Sequence, residues 1–150
     1  MPDFIKLPSE RVEQLRLLSK QRDMPIADLI AEFIRDQISK GNLTPDLPTI
    51  EVRRTEKTIE IDFDGFVRVL DHKLAAAYAV TLRWYSKPKA AGMHSAIVDL
   101  AQDLSGAHHV GISRQGVGIK VTGDNGKSRV LAASVARDLA DIIEARLSAK

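Results

Sequence analysis

Three carboxylates in "IEIDFD" stand where chemistry could begin. Glu60, Asp62 and Asp64 alternate with Ile59, Ile61 and Phe63. Alternation with a period of two puts the acids on one face of a strand and the apolar residues on the other. A row of carboxylates can hold Mg²⁺ for phosphodiester cleavage. No histidine, lysine or further acid is placed by spacing to complete such a set, so the row reads as the solvated face of a half-buried strand. "TGDNGKSRV" sets Gly126-Lys127-Ser128 between a strand and a helix, as a phosphate loop would. The Walker pattern needs a glycine where Val121 stands. Asn125-Gly126 therefore reads as a tight turn and Ser128 as a helix N-cap. Gly116-Val117-Gly118 lacks the third glycine of a dinucleotide fingerprint. No catalytic set emerges, and the expectation is a protein that is not an enzyme and takes no cofactor.

The remaining candidates are histidines and aromatics. His72, His94, His108 and His109 are spread along the chain. His108 and His109 would face opposite ways on a strand. With no cysteine in the chain, thiolate metal sites, disulfides and cysteine nucleophiles are excluded, and no metal is expected. "RWYSKPK" brings Trp84 and Tyr85 beside Arg83, Lys87 and Lys89. Aromatics among bases can stack on single strands, but such a pair at a helix end more often closes a core. Lys87, Lys89, Arg53 and Arg54 remain candidate backbone contacts for a polyanion.

The elements that must position these residues divide the 150-residue chain in two. "DFIKLP" alternates as a short strand that Pro8 ends, and Ser9 is a suitable N-cap. A first helix is predicted over Ser9–Arg22, with Val12, Leu15 and Leu18 at helical spacing and Leu17 beside them. Pro25 opens a second helix reaching about Lys40, with Gly41 as its C-cap. Its face of Ile26, Leu29, Ile30, Phe33, Ile34 and Ile38 is too wide for so small a unit to bury alone. "NLTPDLPT" carries two prolines, and residues 42–56, including "EVRRTEK", read as a linker. Residues 57–150 read as an α+β domain with two hairpins and about three helices. The hairpins turn at Asp64–Gly65 and near Gln115–Gly116. The helices are "HKLAAAYAVTLRWY", "MHSAIVDLAQDLSG" and the closing "SRVLAASVARDLADIIEARL". "DGFVRVL…KLAAAYAVTL" is similar in order and pattern to "QGVGIKV…VLAASVARDL", so an internal repeat competes with chance likeness of two alanine-rich helices.

The spacing over residues 3–40, "FIKLP" followed by "SERVEQLRLLSKQRDMPIADLIAEFIRDQI", resembles the ribbon-helix-helix family of DNA-binding proteins. The resemblance implies that residues 1–41 pair their strands with those of a second copy, and that four helices form an intertwined core. It implies a dimer core of Ile5, Leu7, Val12, Leu15, Leu18, Leu29, Ile30, Phe33 and Ile34. The ribbon would lie in the major groove of double-stranded DNA with Phe4, Lys6 and Pro2 at base edges. Arg22 and the helix start at Met24, Ile26 and Ala27 would meet phosphate. The chain departs from the pattern at Pro25, where a hydroxyl residue is usual, and at Asp3, where an apolar one is.

Composition permits this without demanding it. The net charge is +2 and the pI near 9.0, which suits a polyanion partner. Yet residues 1–40 carry seven basic and seven acidic side chains, so nonspecific attraction to DNA is small. No apolar run approaches a membrane span and no secretory signal opens the chain, so a soluble cytoplasmic location is expected, with no membrane partner. The expected function is a dimeric, sequence-specific DNA-binding regulator, homodimeric or higher. The alternative is a protein-interaction module, antitoxin-like or a plasmid or phage accessory factor, whose N-terminal unit only dimerises. In either case residues 57–150 could carry a protein partner.

Overall fold

The computed structural model describes residues 4–87, 111–116 and 118–149. Its elements make an α+β chain with four helices and two three-stranded antiparallel sheets among those residues. Two compact units meet between Pro45 and Asp46.

The first unit is a pair of helices, α1 (Ser9–Arg22) and α2 (Ile26–Ser39). Pro8, not Ser9, is the N-cap of α1, and no side chain caps that end. A proline suits the position because its carbonyl already accepts from the Arg11 and Val12 amides while its own missing N–H costs nothing. Pro25 plays the same part for α2. Both helices end in the same left-handed motif. Asp23 at φ 47° and Gly41 at φ 78° turn the chain. The next amide reaches back each time, Met24 N–H to the Ser19 carbonyl at 3.0 Å and Asn42 N–H to that of Gln37 at 2.9 Å. These bonds satisfy carbonyls that a helix end leaves orphaned.

The second unit holds sheet β1 (Glu51–Arg54), β2 (Thr58–Asp62), β3 (Val67–Asp71), then α3 (His72–Tyr85). It also holds sheet β4 (Ile112–Gln115), β5 (Gly118–Thr122), β6 (Ser128–Leu131), then α4 (Ala133–Ser148). Both sheets are meanders in strand order. Two expectations are corrected by this. The stretch 42–56 is not all linker, because Glu51–Arg54 pairs along β2 with Arg53 opposite Glu60. The closing helix begins at Ala133, because Ser128–Leu131 pairs with Ile119–Thr122 of β5. Ser128 is thus the first residue of a strand and caps no helix. In each case a four-residue segment of mixed polarity becomes a strand because a partner strand satisfies its amides. The turn at Asp64–Gly65 lies where the sequence places it, the one expected near Gln115–Gly116 begins at Gly116, since Gln115 still pairs with Gly118, and α3 has the predicted span. The helix expected in "MHSAIVDLAQDLSG" lies outside the described residues.

Alternation is obeyed in β2. Ile59, Ile61 and Phe63 are buried, while Glu60 and Asp62 sit on the other face. One apolar cluster joins both sheets and both helices of this unit. Ala75 and Ala79 of α3 and Ala136 and Ala140 of α4 are fully buried. Their lack of bulk lets the two helices pack along each other. Phe63 stacks on Phe66 across the β2–β3 turn at 4.9 Å between ring centroids, a favourable offset geometry.

Candidate nucleic-acid interface

The residues assigned to DNA reading belong to the first unit. Phe4 is 93% exposed and Ile5 85% exposed. Lys6 is exposed, Leu7 largely so, and Pro2 lies outside the described residues. Phe4–Leu7 belongs to neither sheet.

The apolar residues assigned to a dimer core are mostly on the surface of the single chain. Helix α1 buries none of its residues. Val12 and Leu15 are half-buried and Leu18 is exposed. In α2 Leu29 is buried, whereas Ile30, Ile34 and Phe33, the last at 64%, remain exposed. Leaving each such side chain in water forgoes about 1.5–3 kcal/mol of burial.

At the start of α2 the groups assigned to phosphate differ in availability. Arg22 is tied to Glu32 by a two-pronged ion pair at 2.7 and 3.1 Å. Met24 spends its N–H on Ser19, whose hydroxyl donates back to the Met24 carbonyl at 2.5 Å. The Asp28 and Leu29 amides both turn back to the Pro25 carbonyl. That leaves the Ile26 and Ala27 amides without an intrahelical acceptor, as for the first residues of any helix. A helix start with two open amides offers a positive dipole end to an anion.

The second unit carries the other candidates. Glu60 faces Arg53 and Asp62 faces Glu51 across β1–β2. Asp62 accepts the Asp64 amide at 2.9 Å, a local turn bond. Among the described residues no acidic or histidine group is arranged to hold a metal ion. His72 lies 3.3 Å from the Thr55 carbonyl through Nε2. His94, His108 and His109 lie outside the described residues, as does Lys89. In "DNGKS" the Lys127 amide donates to Asn125 Oδ1 at 3.0 Å and Gly126 has φ 81°. The segment is a tight turn joining β5 to β6, not a phosphate cradle. Lys87 lies over the Trp84 ring at 5.5 Å and Arg114 over the Tyr85 ring at 5.7 Å. The aromatic pair is thereby occupied within the unit.

The sequence does not announce which arginines become internal clamps. Arg54 donates to the carbonyls of Arg146, Leu147 and Ala149 at the end of α4. Arg114 donates to the Tyr85 carbonyl at the end of α3 at 3.1 Å. Arg68 pairs with Asp124 at 3.4 Å, and Arg83 with Asp141 and Glu144. The hydrogen bond that the Arg83 guanidinium donates to the Glu144 carboxylate, with the Asp141 contact beside it, holds the Arg83 pKa above its ordinary value. A sequence signal exists only for the first two: arginine at one place in two strands, each opening a meander. Among the described residues no helix is long and apolar enough to cross a membrane. The chain matches no known family model, no curated protein and no solved structure.

Proposed function

We propose that this chain is a homodimeric, sequence-specific DNA-binding protein, acting as a transcriptional regulator. Phe4–Leu7 pairs with its counterpart in a second copy and enters the major groove. The observation that carries this is the unburied apolar set of the first unit. A helix that buries nothing, an exposed Phe4–Leu7 segment that forms no strand in the single chain and an exposed Phe33 support a fold completed by another copy. Units this small rarely stand alone. Pairing on the Ile5 and Leu7 face covers Leu18, Ile30, Phe33 and Ile34, and leaves Phe4 and Lys6 outward. Lys6 donates to guanine O6 or N7, and Phe4 meets a thymine methyl.

The test is Lys6→Ala. Fluorescence anisotropy against genomic fragments should show affinity falling at least tenfold for the selected site, the scale of about 1–3 kcal/mol for a base contact. Sedimentation should show an unchanged dimer. Equal affinity for wild type and variant removes the ribbon as the reading element. One observation favours the second reading, a module that only dimerises: Arg22 is spent on Glu32 in a unit without net positive charge. That reading predicts no binding at any salt concentration.

We further infer that the second unit is two copies of one β-β-β-α motif. The support is register. Arg54 faces Ile59 and Arg114 faces Ile119. Leu70 faces Ile59 and Leu131 faces Ile119. Ala75, Ala79 and Leu82 answer to Ala136, Ala140 and Ile143, all buried. The equivalence runs from β3 to β6, both "RVL", rather than from β3 to β5 as the sequence comparison suggests. Each copy clamps the other's helix end, Arg54 on α4 and Arg114 on α3. Such a unit serves as a rigid platform for oligomerisation or for a protein partner.

A further inference from the structure

Strand β1 ends its sheet, and among the described residues it pairs with β2 alone. Which of its backbone groups face outward follows from hydrogen-bond parity. The Thr55 amide donates to the Thr58 carbonyl at 2.8 Å, and these two residues continue the β1–β2 register. Bonded pairs alternate in an antiparallel ladder, so Arg53–Glu60 and Glu51–Asp62 are bonded pairs. The Phe63 amide donates to the Phe66 carbonyl, which assigns Ile61 and Ile59 to β3 and agrees. Val52 and Arg54 therefore turn their N–H and C=O groups away from β2. Of these, the Val52 carbonyl accepts Arg146 Nε at 3.3 Å, which leaves a second lone pair. An open groove of about 1010 Å³ borders the whole strand, from Ile50 through Arg54, with Ile142 and Arg146 of α4 on its lining.

We propose that this edge pairs with the same edge of a second copy, antiparallel and centred on Val52. The charges select both the occupant and the register. Val52 and Arg54 can take bonded positions, and Ile50 can offer its carbonyl, its N–H being donated to the Leu47 carbonyl at 3.3 Å, so three symmetric registers of useful overlap compete. Centring on Glu51 sets Glu51 against Glu51, and centring on Arg53 sets Arg53 against Arg53. Like charges directly opposite destabilise a ladder. Centring on Val52 sets Glu51 of each copy against Arg53 of the other, twice. Val52 then meets Val52 on the buried face, and Ile50 meets the stem of Arg54. Both charged side chains are exposed. The internal contacts of Arg53 are long, 3.8 Å to Glu51 and 4.0 Å to Asp62, so the guanidinium is available. The outcome is a continuous six-stranded sheet across two copies, and a covered strand edge in place of an exposed one. This interface is independent of the first unit.

The chain has no cysteine, which makes a disulfide test clean. Glu51→Cys and Arg53→Cys are made separately in the full chain, and the two variants are refolded together under mild oxidation. The proposed register makes positions 51 and 53 a non-bonded pair, with Cα atoms about 4.5 Å apart, within disulfide reach. The mixture should give a mixed disulfide roughly tenfold above either variant alone. A mixture no better than the single variants overturns the proposal. A disulfide in Glu51→Cys alone or Arg53→Cys alone overturns the register, since each reports one of the competing alignments. Charge reversal is the second measurement. Glu51→Arg and Arg53→Glu should each weaken self-association in sedimentation equilibrium. Their mixture should restore it, because every facing pair is then Arg with Glu. Reversals without effect overturn the proposal too.

Discussion

Tyr78 is the largest fully buried side chain, and its hydroxyl has no hydrogen-bond partner among the described residues. Burial pushes its pKa well above the ordinary tyrosine value, and the nearby Arg68 charge offsets only part of that. An unpartnered buried hydroxyl costs stability, so removing it while keeping the ring is nearly free or favourable. Tyr78→Phe should match or exceed wild type at pH 7, within about 1 kcal/mol by urea unfolding. The pH dependence has a definite sign. The folded pKa is raised, so the unfolded chain ionises first as pH climbs past about 10. Stability present below that pH is then lost, by up to about 1.4 kcal/mol per pH unit from this one group. Tyr78→Phe should lose that component of the alkaline slope. A loss above about 2 kcal/mol at pH 7 would mean that the hydroxyl is bonded in solution. At this scale the sequence was legible where alternation rules. Ile59, Ile61 and Phe63 go in and Glu60 and Asp62 out, as read. The burial of the Tyr78 hydroxyl and the partners of Arg68 and Arg83 were not legible, because what a polar tip meets comes from another element.

Elements were legible where they are long and periodic. Helices α1, α2 and α3 fall where helical spacing puts them, one tight turn falls at Asp64–Gly65, and the next begins at Gly116, after Gln115 closes β4. Strands β1 and β6 were lost because four residues such as "EVRR" or "SRVL" carry no periodic signal, and only pairing makes them strands. The mistaken cap at Ser128 has the same root: it sits before an apolar run that turns out to be β6. The helix starts of the second unit now yield a paired prediction. The Asp71 carboxylate accepts the Leu74 amide at 2.7 Å and caps α3. Ala132 holds the matching place before α4, with the same extended backbone and no side-chain cap. Asp71→Ala should cost about 1 kcal/mol, and Ala132→Asp should stabilise by a similar amount. Chemical denaturation of the two variants checks this. A destabilised Ala132→Asp would deny that the two helix starts are equivalent.

The two units face different problems as molecules. The second has one apolar cluster spanning both sheets and both described helices, so once Glu51→Arg weakens the β1 edge contact its unfolding should depend little on protein concentration. The first leaves Ile5, Leu18, Ile30, Phe33 and Ile34 exposed and has a single buried residue in its two helices, Leu29. If a second copy buries that face, mass action ties folding to concentration. A hundredfold dilution then removes about 2.7 kcal/mol from a dimeric unit, several degrees of melting temperature for a domain this small. In the Glu51→Arg background, far-UV circular dichroism should resolve a helical transition that moves with concentration and a second that does not. Phe33→Glu puts a charge into the centre of the proposed four-helix core, where burial without a partner is prohibitive. It should abolish the moving transition, leave the stationary one, and remove DNA binding even with Lys6 intact. A helical transition that ignores both dilution and Phe33→Glu would mean that the first unit folds alone. The exposed apolar face would then need a different partner from a second copy of this chain.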